Sequence, residues 1–440
     1  MSENKEKNNL KLVLGLEIHL HLKTERKMFC NCSADIWGKE YNSITCPVCL
    51  GLPGALPVPN EEAVKKTQIL GLALGCELNK KSNFDRKHYF YPDLPKGYQI
   101  SQYKNPLCIG GFVDLDSGFK AEIERIHLEE DVAKSFHEKN RTLLDFNKSG
   151  MPLVEIVTKP VFTNVEDAVD FCKKIQQIVR FLGIGDVDME KGQMRLEANI
   201  SLRTAEMENK GELHNYKVEV KNINSFRFME KAVLAEIKRQ SEIFSKEEIP
   251  VQENRGFNES TGKTVSQRAK EEAHDYRYFP EPDIPPMVFE DSYVDDLKSL
   301  IPELPHEIKA RLVKDYGIRD MDVSVLVDSL GLDFVRRFEN LVAIGLDAKK
   351  TASALINRSE THEMNDQEFK NYISGDSGGI DEDKLTSIIR RVIDENPKAV
   401  QDYKAGKDSS VQFLFGQIMR ETKGKADPKT TIPLIKEFLS

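Results

Sequence analysis

The sequence predicts an α+β fold: a large domain around a mainly antiparallel sheet, then an all-α helical domain and a small helical tail domain. Three observations predict it. Leu12–Leu20 and Met194–Arg203 alternate apolar and polar residues at period two, as half-buried strands do. Pro152–Val157 is an apolar run interrupted by one glutamate, the pattern of a strand covered on both faces. From Tyr293 onward this patterning gives way to apolar residues at helical spacing, so strands are followed by helices rather than interleaved with them.

The totals agree. A chain of 440 residues, 31% charged and 39% hydrophobic with one Trp, has room for two or three domains. The first nine residues lack the apolar core of a signal peptide, and no apolar run approaches ~18 residues, which points to a cytoplasmic protein. Seven cysteines in a reducing compartment are thiols or metal ligands rather than disulfides. A net charge of −9 argues against nonspecific nucleic-acid binding by the whole surface and leaves room for a local basic patch.

In the first strand Leu12, Leu14, Leu16, Ile18 and Leu20 point one way, and Glu17, His19 and His21 the other. Cys30-Asn-Cys32, thirteen residues, then Cys46-Pro-Val-Cys49 match a tetrahedral four-cysteine zinc knuckle. Four thiolates leave no open position, so such a zinc is structural. Cys76, Cys108 and Cys172 stand alone in mixed apolar contexts and read as packing residues. A helix is expected over Glu61–Gly75. After it, Ser82–Gln102 concentrates basic, aromatic and turn residues, and Arg86, Lys87, Tyr89 and Tyr91 suit phosphate and base recognition. A structural loop pinned by aromatics would look the same.

Asp116-Ser-Gly118 signals a hairpin. His127-Leu-Glu-Glu-Asp131 then gathers carboxylates ahead of the Glu155 strand. A carboxylate buried in an apolar strand takes up a proton, a cationic partner or a metal. Glu17 and His19 placed opposite Glu130 and Glu155 would complete a site for Mg2+ beside a nucleotide phosphate; the plainer alternative is an Arg partner for Glu155 and a solvated Glu-Glu-Asp turn. Further on, Thr163 with Glu166 forms a capping box for a helix ending at Gly183. Tyr216–Lys221 is a strand and Arg227–Phe244 a helix. Gly262-Lys-Thr invites a P-loop reading, but the required second glycine position holds Phe257. Gly375–Gly379 reads as a linker, and Leu385–Ile393 and Val411–Met419 as amphipathic helices. Lys398–Ser440 holds eight Lys/Arg against five Asp/Glu, a local excess of +3 that a solvated helix surface would also explain.

The stretches Gly15-Leu-Glu-Ile-His, Phe84-Asp-Arg-Lys-His-Tyr-Phe-Tyr-Pro-Asp, His127-Leu-Glu-Glu-Asp and Gly150-Met-Pro-Leu-Val-Glu-Ile-Val resemble the GatB family, the B subunits of aspartyl/glutamyl-tRNA(Asn/Gln) amidotransferases. So do Glu197-Ala-Asn-Ile-Ser-Leu-Arg, Lys221-Asn-Ile-Asn-Ser-Phe and His274-Asp-Tyr-Arg-Tyr-Phe-Pro-Glu-Pro-Asp. The resemblance runs from Leu14 to about Pro286 and resumes near the C-terminus. It implies a cradle domain at 1–292, a helical domain at 293–376 and a tRNA-binding tail domain at 377–440. It also implies ATP-dependent phosphorylation of the side-chain carboxylate of Glu-tRNA(Gln) or Asp-tRNA(Asn), followed by amidation. The ammonia would come from a glutaminase, the A subunit, and a small C subunit would complete the assembly. On this resemblance Glu17, His19, Glu130 and Glu155 carry Mg2+, and Arg86 and Lys87 face phosphate. A catalytically silent tRNA scaffold is disfavoured by the intact carboxylates. A stand-alone kinase or ligase is disfavoured because no glutaminase triad accompanies them. The stretch Thr351–Asn371 departs from the family pattern.

Overall fold

Strand β1 (Leu10–His21) occupies the middle of the sheet because its two faces have different tasks. Leu14, Leu16, Ile18 and Leu20 are all but fully buried, each contributing about 2 kcal/mol through that burial. Helix α1 (Glu61–Ala73) starts on an Asn60 cap, and strands β2 (Asp85–His88) and β3 (Tyr98–Ser101) form a hairpin. Strands β4 (Lys120–Glu130) and β5 (Pro152–Thr158) lead to helix α2 (Val165–Phe181). Strands β6 (Met194–Thr204) and β7 (Val218–Ile223), helix α3 (Phe226–Phe244), and strands β8 (Glu253–Asn258) and β9 (Lys263–Ala269) complete the main pattern. The structure, a computed structural model, describes residues 10–269, 276–374, 382–404, 407, 409–422, 426 and 428–439.

The large sheet runs β9-β8-β7-β6-β1-β5-β4 and is extended by short segments at Cys108–Ile109, Glu77–Leu78 and Phe112–Asp114. Among these pairings only β7 with β8 is parallel. Helices α2 and α3 supply Phe171, Cys172, Ile175, Val179, Met229 and Val233 to the core shared with the apolar face of β1 and β6. Cys76 and Cys108 are buried in the same core, as expected of packing cysteines.

Two local expectations need correction. The cap of α2 is Asn164 rather than Thr163: the Asn164 side-chain carbonyl accepts from the Asp167 backbone N–H at 2.7 Å. Strand β7 begins at Val218 because Tyr216 turns inward, where its hydroxyl accepts from the Leu202 N–H at 3.1 Å and donates to Gln240 at 2.7 Å. Thr351–Asn371 is ordered helical structure, with Thr351, Leu355 and Phe369 fully buried. The P-loop reading fails here too, since Gly262 (φ +64°) makes the turn between β8 and β9.

The chain divides into units Met1–Leu304 and Pro305–Ser440. In the second, helices Pro305–Tyr316, Leu332–Ala343 and Ala348–Asn357 bury Leu312, Phe338 and Leu355. Helices Glu382–Glu395, Pro397–Lys404, Ser409–Glu421 and Pro428–Leu439 gather around Ile389, Leu414, Ile418 and Ile435. The expected linker at Gly375–Gly379, and His274 and Asp275, lie outside the described residues.

Candidate active site and metal centres

The face of the sheet away from α2 and α3 is polar across five strands. Cross-strand register fixes which groups meet. His19 stands opposite Glu155 on β5 and Arg195 on β6, and Glu155 stands opposite His127 on β4. One rung therefore reads His127–Glu155–His19–Arg195. Two residues along β4 from His127, Glu129 lies on the same face, and one ligand atom from each of His19, Glu129 and Glu155 falls within 4.8 Å of the others.

Glu130, expected in this group, does not join it. Period-two alternation sends it to the opposite face with Ile126 and Leu128, where it pairs with Lys96 and accepts the Ile100 N–H at 3.0 Å. Glu17 is also separate, one rung away. It accepts from Asn199 at 2.8 Å and groups with Glu197 and Glu219, which share Lys221 at 3.2 and 3.0 Å.

The electrostatics are those of a site built for charge. Burial opposes a proton on His19, yet Glu155 at 3.5 Å, aided by Glu197 and Glu129, holds the imidazole up to about 9. Burial likewise opposes the Glu155 charge, but His127 and His19 keep it well below the usual carboxylate range. Glu129 is pushed up by burial and by Glu155. In the neighbouring group burial raises Glu219 to about 7, against Lys221 and reinforced by Glu197 and Glu17. Glu197 is held down to about 2 by Lys221 and His19 despite its burial. A third knot lies beside these: Asp131 accepts from His21 at 2.6 Å, with Lys148 at 3.0 Å and Arg195 at 3.3 Å.

The β2–β3 hairpin adds a cation. Lys87 is partly buried, with its ammonium 5.0 Å from the Tyr276 ring; desolvation works against its charge, and Glu129 and Glu155 hold it well above the ordinary lysine value. Tyr89 lies on the same side, its phenol pushed up by burial. Tyr91 is exposed. Arg86, expected to face phosphate, alternates to the other side. It bonds both oxygens of buried Glu281 at 2.7 and 2.8 Å and stacks on Tyr98. Its guanidinium is committed to the fold.

Cys30, Cys32, Cys46 and Cys49 converge, with one ligand atom from each within 4.8 Å of the others. The Cys46 backbone N–H donates to Cys49 Sγ at 3.1 Å. A hydrogen bond from Cys30 draws the Cys49 thiol down to about 5, burial opposing and Lys27 assisting. Lys27 is fully buried, its ammonium donating to the Ile44 carbonyl at 2.9 Å. A buried ammonium needs negative charge nearby, and a metal tetrathiolate supplies it. The residues fit zinc. The His19–Glu129–Glu155 donors fit a divalent cation, which would relieve the repulsion between two adjacent buried carboxylates.

Of the missed residues, Glu197 and Glu219 sit in stretches whose alternation places them on the polar face, whereas His127 and Glu129 lie beyond the register shift in β4. Among the described residues no helix is long and apolar enough to cross a membrane.

Residues 12–295 match the family model for the GatB/GatE catalytic domain, and residues 339–439 match the GatB domain model, which takes in Thr351–Asn371. The B subunit of the aspartyl/glutamyl-tRNA(Asn/Gln) amidotransferase of Thermotoga maritima is 41% identical over 97% of this chain and 98% of its own length. The corresponding B subunit of Thermoanaerobacter pseudethanolicus is 38% identical over 97% and 99%. One from Clostridium acetobutylicum is 40% identical over 97% and 98%. With the sheet, the polar rung and near full-length likeness in agreement, the chain belongs to the GatB family.

Proposed function

We propose that the polar face around Glu155 is where ATP activates the side-chain carboxylate of a misacylated tRNA for amidation. Family membership makes the chain one subunit of a tRNA amidotransferase, a C–N bond-forming ligase assembly that uses ATP. The observation that carries the reading is the meeting of His19, Glu129 and Glu155 with the partly buried Lys87 on one polar sheet face.

A carboxylate is a poor acceptor for ammonia. Its oxygen attacks the γ-phosphorus of ATP, ADP leaves, and ammonia then attacks the acyl carbon as phosphate departs. Phosphoryl transfer needs charge neutralisation and alignment more than a protein nucleophile. His19, Glu129 and Glu155 would hold Mg2+, which when bound neutralises phosphate charge. Lys87 offsets charge on the transferring phosphoryl oxygens, and Tyr91 offers an exposed ring for a base. Arg86 holds the hairpin that carries Lys87, and Glu130 anchors the end of β4. The cluster of Cys30, Cys32, Cys46 and Cys49 holds a structural zinc.

The substrates on this reading are Glu-tRNA(Gln), Asp-tRNA(Asn) or both. The partners are the glutaminase (A) and small (C) subunits of the assembly, in the cytoplasm. The domain limits 1–292, 293–376 and 377–440 go with it, the basic tail capturing tRNA through its phosphates.

The test is ADP release by the assembled complex given each purified misacyl-tRNA, which should depend on that tRNA and match amide formed one to one. In the same assay Lys87→Met should lower kcat/KM for ATP about 100-fold. Arg86→Met should leave it within a few-fold while destabilising the fold by about 3 kcal/mol, since Glu281 is left buried and unpaired. ADP release indifferent to tRNA, or equal kinetic losses in the two variants, would contradict the assignment.

A further inference from the structure

We propose that His127 is a positioning residue for the metal-binding carboxylates: it holds Glu155 in place from the side opposite His19. This rests on the cation reading of the His19–Glu129–Glu155 cluster given above.

One oxygen of Glu155, Oε2, lies between two imidazole nitrogens, 3.1 Å from His127 Nε2 and 3.5 Å from His19 Nε2. The two rings have different fates when a cation arrives. His19 belongs to the three-ligand cluster, and a metal takes it as a neutral ligand through its lone pair. It then no longer donates to Glu155. His127 remains as the donor, and its N–H must point at the carboxylate, because the alternative tautomer would set a lone pair against a negative oxygen.

The geometry leaves His127 little freedom to do anything else. It is 3% exposed, it is the direct cross-strand partner of Glu155, and its Nε2 lies 3.9 Å from Glu129 Oε2. Its Nδ1 is buried with no hydrogen-bond partner among the described residues, so its only polar engagement there is with the two carboxylates. Glu129 has its own fixed donor, the Ser101 hydroxyl at 3.1 Å. Each of the two metal-binding carboxylates therefore has one rigid donor that is not itself in the ligand cluster: Ser101 for Glu129 and His127 for Glu155. Such outer contacts orient ligands, and their removal costs affinity without removing a ligand.

Mn2+ titration of the full chain, read by the electron paramagnetic resonance of the free ion, tests this without relying on turnover. His127→Leu keeps volume and loses the donor; Mn2+ affinity should fall about 10- to 100-fold. His127→Gln places an amide N–H near the Nε2 position and should bind within about three-fold of wild type. His127→Asn, whose amide falls short of Glu155, should behave like the leucine variant and serves if leucine prevents folding. Thermal melts of the metal-free proteins establish that each variant is folded. Leucine or asparagine variants binding as tightly as wild type would overturn the proposal. An equal loss in His127→Gln would make His127 a ligand and overturn it as well. Wild-type protein taking up no Mn2+ would instead remove the cation reading, and this inference with it.

Discussion

Glu155→Gln should leave the fold and tRNA binding intact and lower ATP-dependent amidation by about 1,000-fold, while glutaminase activity of the complex continues. Glu155 sits in a strand whose seven residues are all buried, opposite His19 on one neighbour and His127 on the other. Glutamine occupies the same space and removes only the charge. On the proposed function that charge has two tasks: it contributes to the cation site, and it stabilises the proton on His19. The second task gives an independent readout. A histidine raised from 6.5 to about 9 contributes stability that is fully present below pH 6.5 and is lost as pH rises through about 9. The metal-free wild type should lose stability over that window and the variant should lose much less, as thermal melts at several pH values would show. Near-normal amide formation by Glu155→Gln at saturating Mg2+ would sink the assignment.

The second large effect concerns the cysteine knuckle. Stripping zinc with a chelator, or making Cys49→Ser, should lower the melting temperature by about 6 °C, roughly 3 kcal/mol at ~2 °C per kcal/mol for a unit of this size. The four thiols and Lys27 hold a long segment with little regular structure between β1 and α1; Lys27 braces it internally through the Ile44 carbonyl and ties it to the main body through the Phe146 carbonyl. Without thiolates the buried Lys27 ammonium loses the negative charge that the cluster supplies. Metal analysis of freshly reduced wild type should find one zinc per chain. Less than half an equivalent, or a melting temperature indifferent to the chelator, would contradict the structural role.

How much of this is legible in the residues depends on where parity survives. In β1 and β6 strict alternation places Glu17, His19, Arg195, Glu197 and Asn199 on one face, and the structure has them there. In β4 it does not survive. Ala121 and Ile123 enter the core on odd numbers and Ile126 and Leu128 on even ones, because the pairing with β5 shifts between Val157 and Thr158. Counting from the start of the strand turns Glu130 toward His19; the irregularity turns Glu129 there instead. Arg86 escapes a sequence reading for a related reason. In a four-residue strand, Arg86 and Lys87 face opposite ways, and only the pairing with Tyr98–Ser101 and the distant Phe279–Pro280 and Glu281 decides which one meets the carboxylates. A carboxylate nearly two hundred residues away leaves no local trace. The cysteine knuckle, by contrast, is carried by spacing alone and is legible outright.

The most direct test of the polar face as the metal and phosphoryl-transfer centre compares two adjacent residues. Mn2+ binding should be measured for Glu129→Gln and Glu130→Gln side by side with wild type. The structure sets Glu129 within 4.8 Å of the His19 and Glu155 ligand atoms and commits Glu130 to Lys96 and the Ile100 N–H. Glu129→Gln should therefore weaken Mn2+ at least about ten-fold, and Glu130→Gln should stay within about three-fold of wild type. The reverse order, with Glu130→Gln losing the metal and Glu129→Gln keeping it, would contradict the account.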